Sequence, residues 1–496
     1  MSNQIDFQFL IDCFVAGDPL AAEKYLETIV IKNLSRDERG QLAKLCRQNK
    51  LPFYGIRCLK PIMRDRSLYT EPPTQSELSE YALLLARAGA TNESFFWLNQ
   101  IRGEEYPILP FYRGMIHIMR WEYSNARIEL EKYLDNRNFE KPSDETVTLI
   151  NLAMCYLFSG EFDSAMEAID QAKATSPWSI DLRLQRHHDY LHAQILTLNG
   201  NWAVAKQEWK RYRDKYPNNA QNNLNLEKWE LYLQHLEFGW TKSLANSFET
   251  LRERASKRGA SELIRDLDKY LGLFGPDSSP LLRVYYGTPY DEYKQHIELL
   301  APRIEFPQSQ LIGDQSTRCD SILDPTEALF NNSPILKRGQ LQHRALVSIC
   351  SDLYKPISPG ALFTTLFPGE YYDVDSCNMR VFKYVSRLNA ELREQSLPFN
   401  VGNNEEGYFL NCESPIRILM TKGEKRLFEN FELRRLIDAY GPNWFGAAEA
   451  AQSLDIPRSS ANRILLDLVD RKFLVVEGKG KKTRYRSSKF TGKKVA

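Results

Sequence analysis

The sequence predicts a mostly α-helical chain, in which a solenoid of helix pairs is followed by two smaller α+β domains. Three observations support this order. Residues 1–272 have the apolar spacing of helices and repeat with a period near 40 residues. Residues 317–412 and 415–496 each show helical stretches followed by a strand, a turn and a strand. The last region is strongly basic, whereas the rest of the chain is acidic.

Length and composition predict a soluble protein with several domains. A chain of 496 residues is too long for one core, and its 43% hydrophobic and 26% charged content is ordinary for a globular protein. We expect no membrane span, because no apolar run approaches the length that a bilayer requires. The first residues do not show a basic segment followed by an apolar one, so we do not expect secretion. The eight cysteines are scattered without a C-x-x-C pair, which predicts reduced thiols in a cytoplasmic protein.

Three central units, 113–133, 152–172 and 192–212, show the repeat most clearly. In two of them a glycine marks the turn between helices. In all three an aromatic residue follows the turn position by two residues, and an alanine comes three further on. This pattern resembles the tetratricopeptide repeat, whose helix pairs of about 34 residues stack into a superhelix. The resemblance implies a groove that binds a peptide or protein, whereas the alternative is a helical scaffold without a groove ligand.

Residues 273–316 lose the helical period, which predicts a connector between domains. The turn-rich stretch 275–280 predicts a break, and the apolar run 281–286 predicts a short strand. A new domain is then expected over 317–412, with short strands, three helices and a hairpin. Its third helix, predicted at 376–394, has an apolar stripe and a separate basic face.

The basic face of that third helix consists of Arg380, Lys383 and Arg387. The element order resembles the winged-helix effector domain of OmpR-type and ToxR-like regulators. The residues that carry the resemblance are Val381, Val385, Arg387, Leu388 and Leu392 on the helix and Gly407 and Tyr408 in the wing. The resemblance implies that the basic face contacts DNA. However, residues 318–412 contain 9 basic and 11 acidic side chains, so a protein-contact domain or a merely solvated helix face is the alternative.

Residues 415–496 predict helices at 428–439, 447–454 and 459–470 and a hairpin at 473–487. This region holds 18 basic and 9 acidic residues, while the whole chain has a net charge of only +1. The third helix presents polar residues near its N-terminal end: Arg458, Ser459, Ser460, Asn462 and Arg463. Cations surround the glycine-containing turn of the hairpin: Lys479, Lys481, Lys482, Arg484 and Arg486.

This last region resembles winged helices of the IclR and MarR kind. The resemblance implies a recognition helix in the major groove and a wing along the phosphates. Arginine suits guanine and asparagine suits adenine, because each pairs with two groups on the base edge. The alternative is a winged helix that contacts protein and carries a solvated basic tail.

Catalytic and cofactor motifs are not recognisable in the sequence, which predicts that the chain is not an enzyme and needs no cofactor. His188 and His192 lie four residues apart on one helical face. A zinc site needs at least a third protein ligand, so we interpret both histidines as packed or solvated and expect no metal.

Together these observations predict a DNA-binding transcriptional regulator whose helical repeats bind a peptide or protein and control the winged-helix end. The alternative is a protein-interaction scaffold that touches nucleic acid without sequence preference. Double-stranded DNA is the expected partner, and no membrane is expected. A homodimer would suit two half-sites, although two winged helices in one chain could bridge them alone.

Overall fold

In the computed structural model the chain forms two compact units. The first is Met1–Phe306 together with Leu353–Lys355, and the second is Pro307–Asp352 together with Pro356–Ala496. The chain is mostly helical, and the strands of its described part belong to the second unit. The structure describes residues 5–16, 18–64, 68–136, 139, 142–175, 181–217, 220–313, 321–368, 370–422, 431–454, 456–470 and 473–488.

Helices α1 to α17 build the described part of the first unit. Their bounds are Phe7–Ala16, Pro19–Leu26, Arg36–Gln48, Pro52–Arg64, Gln75–Arg87, Thr91–Leu98, Leu109–Met119, Tyr123–Asn136, Pro142–Phe158, Phe162–Ala174, Leu182–Leu198, Trp202–Lys215, Ala220–Phe238, Lys242–Lys257, Ser261–Phe274, Ser279–Tyr286 and Asp291–Leu300. From α3 to α16 each helix packs on the next, and odd-numbered helices also contact each other, as α3 with α5 and α11 with α13. This nearest-neighbour pattern is that of a helical repeat array.

The turns of the three central repeats share one backbone conformation. Trp121, Gly160 and Gly200 have φ values of 59°, 77° and 80°, in the left-handed region. The alanine five positions after each turn is completely buried, which lets the two helices of a pair approach closely: Ala126, Ala165 and Ala205. The predicted repeat register is confirmed at these positions.

The apolar run 281–286, predicted as a strand, lies instead in helix α16. Pro280 occupies its first turn, and Leu281, Val284 and Tyr285 are buried at helical spacing. The β-branched and aromatic residues favour a strand locally, but burial against α15 decides the conformation. A side chain at Gly272 would come within 2.4 Å of the Leu281 backbone nitrogen, so α15 and α16 cross closely. The range predicted as a connector, 273–316, therefore contains two helices and a first strand.

The second unit begins with a five-stranded sheet. Its strands are β1 Ser309–Ile312, β2 Ile322–Asp324, β3 Leu329–Phe330, β4 Ser333–Pro334 and, much later in the chain, β7 Arg417–Thr421. The order is β1-β7-β2-β3-β4, and β7 runs antiparallel to β1 and parallel to β2. Residues 417–421 were predicted to belong to the last domain, 415–496, whereas β7 completes the sheet that opens this unit.

Three helices and a hairpin lie between β4 and β7. The bounds are α18 Leu341–Cys350, α19 Pro359–Leu366, α20 Val374–Glu394, β5 Phe399–Asn404 and β6 Gly407–Cys412. Ser358 is the N-cap of α19, since its hydroxyl accepts a hydrogen bond from the Ala361 N–H. Asn389 of α20 joins the helix to the hairpin by bonding to both the N–H and the carbonyl of Val401.

The last part of the second unit again has three helices and a hairpin. These are α21 Phe431–Tyr440, α22 Ala447–Leu454, α23 Arg458–Asp470, β8 Leu474–Glu477 and β9 Arg484–Ser487, with a 3₁₀ turn at Gly480–Lys482. They enclose one core, in which Leu436, Leu454, Leu465 and Tyr485 are buried. Residues 428–430, where the first helix was predicted to begin, lie outside the described residues, as do 489–496 of the basic tail.

Candidate functional site

The N-terminal end of α23 presents a polar surface because the helix packs an apolar face on the core, while Leu466, further along the helix, is 58% exposed. Ala461 and Leu465 are fully buried, and Leu468 is nearly so. The residues proposed from the sequence to contact DNA fall on the other side of the helix. Ser460 is half-buried, and the other four are exposed: Arg458, Ser459, Asn462 and Arg463.

The β8–β9 hairpin carries the second group of predicted residues. Lys479 and Lys482 are exposed in its turn, and Gly478 and Gly480 have φ values of 83° and 60°, which the turn requires. Lys481 lies in the same turn, but its side chain lies outside the described part. Two ammonium groups on an exposed turn can lie along a phosphate backbone without a large desolvation cost.

Two arginines of β9 have partners that the sequence analysis did not identify. The Arg484 guanidinium donates to the Glu449 carboxylate at 2.6 Å, and both side chains are about half exposed. That carboxylate also accepts from the Gly446 N–H at 2.5 Å. Arg486 lies over the Trp444 ring, 4.7 Å from its centroid. The first turn of α22 and the loop before it therefore position the arginines of the hairpin.

The three predicted residues of α20 do not share one environment. Lys383 and Arg387 are exposed, whereas Arg380 lies 4.0 Å from the centroid of the Phe367 ring and pairs with Glu370 at 2.5 Å. Arg380 is thus engaged within the protein. The same helix exposes two apolar side chains at a spacing of three residues, Met379 at 57% and Phe382 at 54%. At the tip of the β5–β6 hairpin, Glu405 and Glu406 are exposed.

Glu370 connects the two helices that carry the predicted contacts. Its Oε1 accepts from Arg463 of α23 at 2.9 Å, and its Oε2 accepts from Arg380 of α20 at 2.5 Å. Burial raises the pKa of this carboxyl, but the bonds and charges of Arg380 and Arg463 outweigh burial, so its pKa lies below the ordinary value. Glu370 is therefore ionised at neutral pH.

Sequence reasoning missed Glu370, Glu449 and Trp444. Each lies outside the helix or hairpin that it supports, and Glu370 is 93 residues from Arg463. The only sequence signal for Glu370 was an acidic residue shortly before a helix with a basic face. That signal does not identify a partner in another helix.

In the first unit, His188 and His192 belong to α11. His188 is buried, and its ring nitrogens lie 3.1 Å from the Ile169 carbonyl oxygen and 3.0 Å from Asp189 Oδ1. These contacts agree with the interpretation of His188 as a packed residue. Among the described residues, no cluster of three or more His, Cys, Asp or Glu side chains has the arrangement of a metal site. No helix in the same part of the chain has the length and apolarity needed to cross a bilayer.

Comparisons with known proteins add little to this description. No protein-family model matches the chain. No curated protein sequence matches it either. Among solved structures, the chain is similar to the apo form of RapI, with 12% sequence identity and a TM-score of 0.31 over 60% of this chain and 98% of that one. At this TM-score the likeness carries no argument, and the fold is defined by the contacts described above.

Proposed function

We propose that this protein is a DNA-binding transcriptional regulator. In this proposal the two three-helix modules of the second unit are winged helices, and α23 is the recognition helix. The observation that carries the proposal is the exposed polar end of α23 together with the exposed lysines of the β8–β9 turn. A helix end that offers arginine and asparagine can read base edges, and a lysine-bearing turn can neutralise phosphates.

The helical repeats of the first unit would bind a peptide or protein partner in this proposal, and the partner would control access of DNA to α23. Repeat arrays present extended surfaces and more often bind chains than catalyse reactions. The absence of a recognisable catalytic motif from the sequence agrees with a binding role. No cofactor is needed for this function.

The experiment is a selection from random-sequence duplexes with the full chain, followed by affinity measurements on the enriched sequence. A double variant, Arg458→Gln with Asn462→Ala, should weaken binding to that sequence about ten-fold or more and flatten the sequence preference. The matched control is Arg102→Gln in the first unit, where the arginine side chain is 82% exposed. This control removes one charge and should leave the preference unchanged. A sequence preference that survives the double variant would overturn the assignment of α23.

A second candidate function is a protein-interaction scaffold. It is favoured by the exposed Met379 and Phe382 on α20 and by the carboxylates at the tip of the neighbouring hairpin. Apolar side chains, and carboxylates that carry the same negative charge as phosphate, are poorly suited to a phosphate-lined groove. The second function would be favoured if the selection enriched no sequence and if the double variant and the Arg102→Gln control lost duplex affinity equally.

A further inference from the structure

Glu370 lies in the segment between α19 and α20, at the centre of an ion-pair triad. Its Oε2 accepts from Arg380 at 2.5 Å, and its Oε1 accepts from Arg463 at 2.9 Å and, at a longer 3.5 Å, from a second nitrogen of Arg380. The carboxylate therefore holds both guanidinium groups at the same time. The triad therefore links α20 to α23.

The two arginines of the triad are held to different extents. Arg380 packs over the rings of Phe367 and Phe363, with its guanidinium carbon 4.0 Å and 5.3 Å from their centroids. Glu370 itself is only 25% exposed. Arg463 is 46% exposed and Arg380 40%, so the anchoring of Arg380 rests on its two ring contacts rather than on lower exposure. Glu370 and Arg380 thus form a fixed base to which Arg463 attaches.

A carboxylate and a phosphate compete for the same donors of a guanidinium group. Both accept charge-assisted hydrogen bonds in the fork geometry of arginine. While Arg463 donates through its Nη1 to Glu370, that donor is not available to a duplex. The negative charge of Glu370 close to α23 also disfavours an approaching phosphate.

We propose that Glu370 is an intramolecular competitor of DNA, which holds Arg463 in an autoinhibitory contact that a duplex must displace. The inference depends on the proposed function, because it takes α23 to be the DNA-contacting helix. It assigns a regulatory role to a residue that is not itself expected to contact DNA. Any partner that moves α20 relative to α23 would change the affinity for DNA through this contact.

Removal of the competing charge should strengthen DNA binding, and only through Arg463. Partly exposed ion pairs contribute up to about 1 kcal/mol, and about 0.4–1 kcal/mol corresponds to the increase of about two- to five-fold in duplex affinity that we expect for Glu370→Gln. Glu394→Gln is the matched control, because Glu394 is exposed at the end of α20, the helix that carries Arg380. This control changes the net charge equally and should change affinity by less than about two-fold.

The experiment measures duplex affinity for the full-length wild type, Glu370→Gln, Glu394→Gln, Arg463→Gln and the Glu370→Gln/Arg463→Gln double variant. Thermal unfolding of each variant verifies that it folds. Support requires that Glu370→Gln gains affinity over Glu394→Gln and that the gain disappears in the Arg463→Gln background. Equal effects of the two glutamate variants would overturn the inference, as would a gain that persists without Arg463.

Failure of the proposed function has a different signature. If the wild type shows no duplex binding, the proposed function and the competitor role are both overturned. If the wild type binds but Arg463→Gln leaves binding unchanged, Arg463 does not contact DNA, and the competitor role alone is overturned. If the wild type binds and Arg463→Gln weakens binding, the proposed function stands, and the Glu370 variants alone decide the inference.

Discussion

Trp121 and Tyr290 stack face to face, with ring centroids 4.5 Å apart and planes within 4° of parallel. Trp121 lies in the turn between α7 and α8, and Tyr290 directly precedes α17. A second contact supports the stack, since the Ser124 N–H donates to Glu292 at 3.0 Å across 168 residues of sequence. The repeat array is thereby tied together between its middle and its end, in addition to the contacts between neighbouring helices.

Substitution of Trp121 should therefore destabilise the whole first unit and not only the repeat that contains it. Trp121→Ala removes the stack on Tyr290 and the edge contact with Tyr293 at 5.3 Å. We expect a loss of about 2–3 kcal/mol, because the ring is partly buried and also loses its aromatic pairing. The measurement is the urea midpoint of unfolding. Trp202→Ala is the control, since Trp202 is 44% exposed and lies two residues after the turn of another repeat. An equal shift in both variants would contradict the prediction.

At Gly160 the effect of backbone conformation on stability can be tested separately from the effect of packing, because its turn is left-handed and open. Its φ is +77°, and an added Cβ would meet nothing within 4 Å. Gly160→Ala should therefore cost about 1–2 kcal/mol through strain alone. Gly40→Ala in α3 also meets nothing within 4 Å but lies in a helix interior, so it should stabilise by about 0.5–1 kcal/mol. Thermal unfolding of the two variants should shift in opposite directions, and shifts of the same sign would refute the argument.

The sequence was most informative where the structure is decided locally. The repeat turns at Gly160 and Gly200 and the buried alanines five residues later were visible as spacing, because a left-handed turn and a close helix crossing each demand a particular residue type. The helix at 281–286 was not visible, because its burial depends on α15 rather than on its own composition.

Contacts between distant segments could not be read from the sequence. Strand β7 inserts between β1 and β2, and no local pattern in residues 417–421 specifies those partners. In the candidate site, too, local features could be predicted and long-range contacts could not. The exposed residues of α23 followed from its apolar period. The hydrogen bond from Arg463 to Glu370, in contrast, depends on how α23 is placed against the segment before α20. Long-range pairing is set by tertiary packing, which one sequence does not display.

The lowered pKa of His296 in α17 should make the stability of the first unit depend on pH. Burial, together with the charge of Lys269, lowers the pKa of this imidazole to about 4. In the unfolded chain its pKa is near 6.5. Between these values the unfolded chain binds a proton that the folded chain does not, so stability falls as pH decreases from about 6.5 to 4. The expected loss is about 2 kcal/mol, because the residue is only partly buried.

The His296→Gln variant isolates this contribution from the other histidines. Glutamine does not titrate, so the variant should lose less stability than the wild type between about pH 7.5 and 5. The measurement is the difference in unfolding midpoint between the two proteins at each pH. A difference that stays constant across this range would show that His296 does not carry the effect.

The hairpin cations should differ in their contribution to DNA binding. Lys482 is exposed, whereas Arg484 already donates to Glu449 at 2.6 Å. Under the proposed function, Lys482→Gln should weaken duplex binding about eight-fold near 0.1 M salt and lower the slope of log affinity against log salt by about 0.9. Arg484→Gln should cost less, because its guanidinium is shared with the carboxylate, and Glu449→Gln should strengthen binding by releasing it. The check is a salt titration of duplex affinity for the three variants; equal losses for Lys482 and Arg484 would mean that the Glu449 contact does not restrain the hairpin.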